Sequence, residues 1–424
     1  MTQIGIGGSN PAEMSAFERV RWFMIVVGMI CMLVPGTLLY GWTVFVGPIG
    51  QAHGWGRPAI QWAFFFFVMS EACLMWLMGP LVDKFGPRPS MIVACVLVAI
   101  GGYLNSIADT LALLYTAAVI SGLGSGIVTC ATVANAVKWF PDRHRGFAAG
   151  ITVMGFALGA LITILPMVDF IQAYGYRATF LWFGGSMGVL LIVCALVLRA
   201  PDAAEVPSRT VEASSVRNYR PLEMVQTPAF WALFAAFTFI VAGAHLVTAH
   251  LAPLATDYKI ANTEVALFGG MITVTGLKLA LFVDRFCNVI GRPFFGFISD
   301  KIGREKTMAI AFTFEAIAIY AMLQFVHDPL WFAVLSGAVF LAFGEIYVMM
   351  PVIIADIYGE EHAAANYGVL YIAKGLAAAW VPVGSMLVIS TGGWAIVFYI
   401  AVVADIVAAL LVLAIIPMRR RMKA

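Results

Sequence analysis

Gly79-Pro-Leu-Val-Asp83-Lys84-Phe-Gly86-Pro-Arg88 ends one apolar run, and Gly296-Phe-Ile-Ser-Asp300-Lys301-Ile-Gly303-Arg304, shifted by 217 residues, ends another. Working outward from these turns, each follows the second run of a group of six. The first group lies near 22–46, 58–82, 90–107, 111–140, 147–168 and 178–199. The second lies near 230–252, 277–299, 307–326, 330–356, 366–390 and 394–417. A hydrocarbon core about 30 Å thick needs about 20 apolar residues per helix, so each run predicts one span. A weaker echo pairs 140–146 with 358–364. Duplicated six-helix halves are the architecture of alternating-access transporters, with the substrate held between the halves near the midplane.

Composition agrees. Of the 424 residues 62% are hydrophobic and 11% charged, against about 45–50% and 25% in a globular protein. So few charges cannot build a soluble surface, and the same figures exclude a disordered chain. All six cysteines lie in apolar runs and read as small packing residues rather than disulfides. No zinc-ligand spacing or nucleic-acid-binding basic patch is present, so neither cofactor nor nucleic acid is expected. The first run is too long for a signal-peptide core and reads as a retained span.

Basic residues set the orientation. With the N-terminus inside, inner segments hold 18 Lys and Arg, and the outer side holds only Arg57, Arg177, Lys259 and Lys278. That bias puts both termini on the cytoplasmic side of a plasma (bacterial inner) membrane. The expected organisation is a cytoplasmic segment 1–21, a six-helix bundle 22–199, a cytoplasmic linker 200–229, a second bundle 230–417 and a basic tail 418–424. A monomer in the lipid bilayer is expected.

The repeated turn resembles the signature loop of the major facilitator superfamily across nearly the whole chain. Glu223–Trp231, Asp284–Gly296, Gly344-Glu-Ile-Tyr347 and Tyr371-Ile-Ala-Lys374-Gly375 further resemble the oxalate:formate antiporter family. The resemblance implies an all-α membrane protein of twelve helices in two pseudo-symmetric bundles.

A charge at the centre of a span costs about 2.5–3.5 kcal/mol, so such residues are functional candidates. They are Glu71, Asp284, Arg285, Arg292, Glu315, Glu345, Lys374 and Asp405. At 1.5 Å per residue Arg292 lies roughly 12 Å, and Lys374 about 10 Å, from the cytoplasmic face. Two cations at similar depth on different helices can converge on one cavity, where a small carboxylate would relieve their repulsion. Arg grips one carboxyl group with a fork and Lys supplies a point charge to the other. The resemblance implies the same pair of substrate-binding cations. The alternative neutralises them with buried acids, for instance Arg292 with Asp284 or Glu345.

Lys278, Arg285 and Arg292 recur every seven residues on one helix face, and Asn288 joins that wall four residues before Arg292. Lys278 is expected to snorkel at the outer interface. Arg285 reads either as Asp284's local partner or as part of an anion path. Glu71 lies 217 residues before Asn288 and reads as a proton carrier or as a neutral acid holding two helices together. Glu345 resembles a structural acid, and Glu315 and Asp405 read as packing groups. His245 and His250 can titrate near neutrality, although satisfied pore-edge histidines fit them better. The resemblance further implies an aromatic cavity of Tyr40, Phe156, Phe343, Tyr347 and Tyr371, with Thr129 where the family has tyrosine and Trp42 nearby. These departures leave room for a different or larger carboxylate.

Pro35, Pro166, Pro293 and Pro382 are expected to kink their spans. The turns at Gly79, Asp83, Lys84, Gly86 and Arg88 and at Asp300, Lys301, Gly303 and Arg304 suit a gate of breakable charge contacts. The expected function is secondary transport of small organic anions, with oxalate:formate-type antiport implied by the resemblance. Alternatives are a proton-coupled monocarboxylate symporter using Glu71 or Asp284, and a non-transporting membrane anion sensor. An enzyme is not expected: no nucleophile-base spacing accompanies Glu71, His245 or Lys374.

Overall fold

The computed structural model describes residues 11–140, 145–202, 217–359 and 362–423. Fifteen helices carry almost all of it. In the first half they are α1 (Pro11–Cys31), α2 (Leu33–His53), α3 (Arg57–Phe85), α4 (Pro87–Ser106), α5 (Leu111–Trp139) and α6 (Arg145–Val197). The short α7 (Pro221–Met224) leads into α8 (Pro228–Asp257), α9 (Gly276–Ile302), α10 (Arg304–Gln324), α11 (Pro329–Phe343), α12 (Ile346–Tyr358), α13 (Ala363–Ala377), α14 (Trp380–Thr391) and α15 (Ala395–Lys423).

Among the described residues, ten stretches are long and apolar enough to cross a bilayer. One of them, Ala148–Val197, is two spans joined at Gly175, whose φ of 81° breaks the helix. A further helix, α9, has the length but carries Lys278, Asp284, Arg285 and Arg292 along it. Counting both gives the expected twelve crossings, with the two ends of the chain on one face. The pairs α1–α2, α11–α12 and α13–α14 are each single crossings with a break inside.

Two of those breaks have a proline cause. Pro35 cannot donate to Cys31, and α1 ends there. Pro382 cannot donate to Ala378, and α13 ends one residue before it. Pro166 and Pro293 sit inside continuous helices, so the expected kinks there do not become breaks.

Within the first half α3 packs on α5 and α4 on α5 and α6; within the second α9 packs on α11 and α15 on α8 and α10. The seam between them is built by α3 against α13 and α14, α2 against α8, and α6 against α9. Residues 264–275, just outside the eighth crossing, form a hairpin. Strands β1 (Glu264–Leu267) and β2 (Ile272–Thr275) pair antiparallel, Glu264 opposite Thr275, so this stretch does not extend the helix.

The described end of the linker belongs with the second half. Tyr219 donates its backbone N–H to Tyr358 O, and Asn366 Nδ2 donates to Tyr219 O at 3.0 Å. The Arg220 backbone N–H, then the Arg217 guanidinium, hold the Glu223 carboxyl below its ordinary range.

The face opposite the termini is tied shut. Arg57 forks onto Asp257 at 2.8 and 2.9 Å, joining α3 to α8. Lys278 reaches Asp169 at 2.5 Å, joining α9 to α6, so its head stays at the partly exposed mouth and forms an ion pair across the seam there. Gln61 accepts from Trp42 Nε1 and donates to Ala249 O, both at 2.9 Å. Thr43 Oγ1 accepts the Ala252 N–H at 3.0 Å.

Candidate functional site

Charges gather in the middle of the seam because α3, α9 and α13 all border it. Lys374 on α13 donates to Glu71 Oε2 on α3 at 2.8 Å and to Tyr371 Oη at 3.1 Å. Both members of the pair are at most 1% exposed. Lys374 therefore has a buried acidic partner, as the alternative held, and that partner is Glu71, whose carboxyl group joins α3 to α13.

Arg292, 3% exposed, takes a different course. Its Nη1 donates to Val153 O on α6 at 3.2 Å and its Nη2 reaches Asn288 Oδ1 at 3.5 Å. Neither Asp284 nor Glu345 neutralises it, and among the described residues it has no carboxylate partner. Asn288 is held by its Nδ2 donating to Phe340 O at 3.3 Å.

The Tyr347 ring links the two cations. Its centroid lies 5.9 Å from Arg292 Cζ and 5.7 Å from Lys374 Nζ, and its hydroxyl is buried without a hydrogen-bond partner among the described residues. Lys374 also stands 5.4 Å from the Phe156 ring and 5.1 Å from the Tyr371 ring. Phe343 packs edge-on to Tyr347 at 5.4 Å, and Tyr40 edge-on to Phe156 at 5.5 Å. The expected aromatic residues therefore gather in one cluster around the two cations, with Tyr40 and Phe156 from the first half and the others from the second. Phenyl walls exclude water and strengthen charge contacts there.

Thr129 departs from the expectation. Its hydroxyl donates to Ser125 O one turn back at 3.0 Å, so its only donor is committed to its own helix. Trp42 serves the seam's closure rather than the aromatic cluster, through Gln61. His250 is satisfied by Ser385 Oγ at 2.7 Å and Leu246 O at 3.0 Å, as expected of it. His245 is not. It is fully buried between Phe64 and Phe343, and neither ring nitrogen has a partner among the described residues.

Two glycines let these charges approach. A Cβ on Gly344 would sit 2.9 Å from Asn288 O and 3.1 Å from Arg292 Cγ, so α11 can pass the arginine stem only with glycine there. A Cβ on Gly375, next to Lys374, would meet Met69 Sδ at 2.8 Å and Ala72 Cβ at 3.2 Å on α3. Sequence reading quoted both glycines in its motifs but gave them no role, and it missed Gln61, Asp169 and Asp257. The outer polar positions of Asp169 and Asp257 were the available signal for the last two.

Glu315, Glu345 and Asp405 are fully buried, with no hydrogen-bond partner for their carboxyl oxygens among the described residues. Asp405 abuts Gly243 of α8, so it faces into the second bundle rather than lipid. At the repeated turns, Arg88 Nε donates to Leu198 O at 2.8 Å and Arg304 Nη1 to Ser299 Oγ at 2.5 Å, each within its own half. Lys84 and Lys301 lie over Phe85 and Phe297. The backbones of Gly79, Asp83 and Asp300 are helical, but the two aspartate side chains lie outside the described residues, as does most of 140–146. A cavity of about 50 Å³ among Thr37, Trp42, Phe64, Asn105 and Phe180 lies inside the first bundle and holds none of these charges.

Comparison with known proteins agrees with this architecture. The model of the Major Facilitator Superfamily matches residues 24–292 and 273–424. The oxalate:formate antiporter of Oxalobacter formigenes is 31% identical over 94% of this chain and 92% of its own. Monocarboxylate transporter 12-B of Danio rerio is 24% identical over 81% of this chain and 76% of its own. A crystal structure of the peptide transporter POT with alafosfalin superposes with a TM-score of 0.69 at 17% identity, covering 94% of this chain and 95% of that one.

Proposed function

The chain belongs to the Major Facilitator Superfamily, and from that premise we propose that it is a secondary active transporter of small organic anions. Arg292 and Lys374 bind a carboxylate, and alternating access carries it across. The observation behind this reading is the Tyr347 ring shared by two buried cations on different helices. Glu71 adds to it: Lys374 already holds one carboxylate in hydrogen-bond contact, and a substrate carboxylate can take that place. Asn288 positions Arg292, while Tyr40, Phe156, Phe343, Tyr347 and Tyr371 wall the site. Thr129 supports α5 rather than the ligand.

The six-helix bundles move about the seam, with Arg57–Asp257 and Lys278–Asp169 closing one mouth and the turns at Asp83 and Asp300 gating the other. The closed mouth faces outward from a bacterial inner membrane, both termini being cytoplasmic. The chain works as a monomer. The exchange is of the oxalate:formate type, drawn from the name of the 31%-identical relative.

The Glu71–Lys374 contact favours a second reading, proton-coupled symport of a monocarboxylate. A substrate that takes Lys374 leaves Glu71 with a buried negative charge, which a proton would cancel. Lys374, Tyr371, Tyr347, Arg292 and His245 are the titratable or charged groups around it.

Uptake of labelled oxalate and formate into liposomes holding the purified protein tests both readings. Arg292→Gln and Lys374→Gln should each abolish saturable uptake; normal affinity in both would overturn the clamp. Exchange should persist when the pH gradient is dissipated, whereas symport should collapse and become indifferent to pH in Glu71→Gln.

A further inference from the structure

Seven residues before Arg292, α9 carries a third buried cation that the reading above leaves unused. Arg285 is 1% exposed. Its Cζ lies 4.1 Å from the centroid of Tyr40 on α2 and 4.0 Å from that of Phe340 on α11. One ring belongs to each half, so the guanidinium spans the seam where substrate must pass. The rings occupy its surroundings without accepting conventional hydrogen bonds from it.

Asp284 does not satisfy those donors. Its Oδ2 is 3.9 Å from Arg285 Nη2, which is an ion-pair distance but beyond hydrogen-bond length. Nε and Nη1, which carry three of the five guanidinium N–H bonds, are buried and find no acceptor among the described residues. The Tyr40 hydroxyl is also buried and unpartnered. The Tyr40 ring stands next to Phe156, and Phe156 stands 5.4 Å from Lys374 Nζ, so this second donor set lies two rings away from the first.

We infer that Arg285 and the Tyr40 hydroxyl form a second oxyanion subsite, so that the transported anion is a dicarboxylate with a chain longer than two carbons. One carboxylate is held by Arg292 and Lys374; the other reaches the Arg285 donors, with the intervening carbons running alongside the Tyr40 and Phe156 rings, which pack edge-on to each other at 5.5 Å. The inference rests on the proposed anion transport and its Arg292–Lys374 clamp, and it replaces the oxalate-type exchange drawn from the relative's name with exchange of a longer dicarboxylate. Phe at 156 and 343 would leave an apolar middle for a carbon chain, while a pair of separated cation sites favours charge at both ends. A monocarboxylate would engage the first site alone.

Binding to the full chain in detergent, followed by calorimetry with acetate, oxalate and succinate, tests the subsite. The variants are Arg285→Gln combined with Asp284→Asn, which removes the pair without stranding a charge, Arg285→Lys, Tyr40→Phe and Arg292→Gln. Wild-type protein should bind succinate more tightly than acetate. In the double variant succinate affinity should fall at least tenfold more than acetate affinity, with a smaller selective loss in Tyr40→Phe and partial recovery in Arg285→Lys. Equal losses for all three acids, or an undiminished preference for succinate, would overturn the inference. Should the double variant fail to fold, the Tyr40→Phe ratio decides by the same criterion. Failure of the proposed function has a different signature: Arg292→Gln then binds every acid as wild type does, whatever Arg285 does.

Discussion

Glu71 and Lys374 are 303 positions apart in sequence and join the two halves through a 2.8 Å contact at the centre of the membrane region. Each is sealed from solvent, so neither charge can exchange its partner for water in this conformation. Removing one member of a buried pair typically costs 3–5 kcal/mol, because the other charge is left uncompensated. An anionic ligand changes that balance, since it can neutralise Lys374 in place of Glu71. The pair therefore couples occupancy of the site to the seam that must open during transport.

Glu71→Gln should make the protein ligand-dependent for stability. Without anion, it should melt lower than wild type by the equivalent of about 3–5 kcal/mol. With anion the difference should shrink, and anion affinity should rise about tenfold, roughly 1.4 kcal/mol, because the internal competitor is gone. Thermal unfolding with and without substrate measures both. An equal ligand-induced shift in variant and wild type would show that Glu71 does not compete with the ligand.

Glu71→Gln combined with Lys374→Gln removes both charges and leaves neutral side chains of similar size. Stability should return to within about 1 kcal/mol of wild type, since a buried ion pair is often no better than its neutral replacement. Anion uptake should remain absent. Recovery of uptake in the double variant would assign Lys374 a purely structural role.

The outer closure should be shallow. The Arg57 and Asp257 side chains are 26% and 36% exposed, and exposed pairs contribute about 0.2–1 kcal/mol. Asp257 also accepts from Trp394 Nε1 at 3.0 Å, so Asp257→Asn weakens two contacts while preserving shape. The expected result is a two- to five-fold faster modification of a cysteine placed at Thr43 by a membrane-impermeant thiol reagent. An unchanged rate would mean that Gln61 and Lys278 hold this mouth by themselves.

Length and apolarity made the twelve crossings legible, because the bilayer imposes both on every span. The exception is instructive. Six charges lower the hydropathy of α9, and one of them, Arg292, placed it at the site. Arg292, Lys374 and the aromatic wall could be read from charge depth and resemblance, since a buried cation in a span has few other uses. Their partners could not. Glu71 meets Lys374 through packing of α3 on α13, and Arg285 meets Tyr40 through packing of α9 near α2; neither pairing follows a local period. His245 looked like a satisfied histidine because polarity of residue type says nothing about whether an acceptor lies within reach. The 264–275 hairpin was illegible for another reason: four-residue strands leave too few residues for alternation to declare itself.

Gly344→Ala tests how tightly the arginine is positioned. The added methyl would lie 2.9 Å from the Asn288 carbonyl and 3.1 Å from Arg292 Cγ. The carbonyl belongs to the α9 backbone and cannot turn aside, so α11 must move away from α9 and the arginine stem must shift with it. Overpacking of this kind costs about 1–3 kcal/mol. Displacement should also lengthen the Arg292–Val153 contact, already 3.2 Å, and loosen the packing on the α6 side. The expected outcome is lower thermal stability together with at least a tenfold loss of anion affinity. Gly47→Ala is the matched control, because no atom lies within 4 Å of the new methyl. On an exposed helical position it should leave binding intact and add about 0.4–1 kcal/mol of stability. Loss of stability in Gly344→Ala with full anion affinity would show that the site tolerates movement of α11, and that Arg292 is positioned by α6 and Asn288 alone.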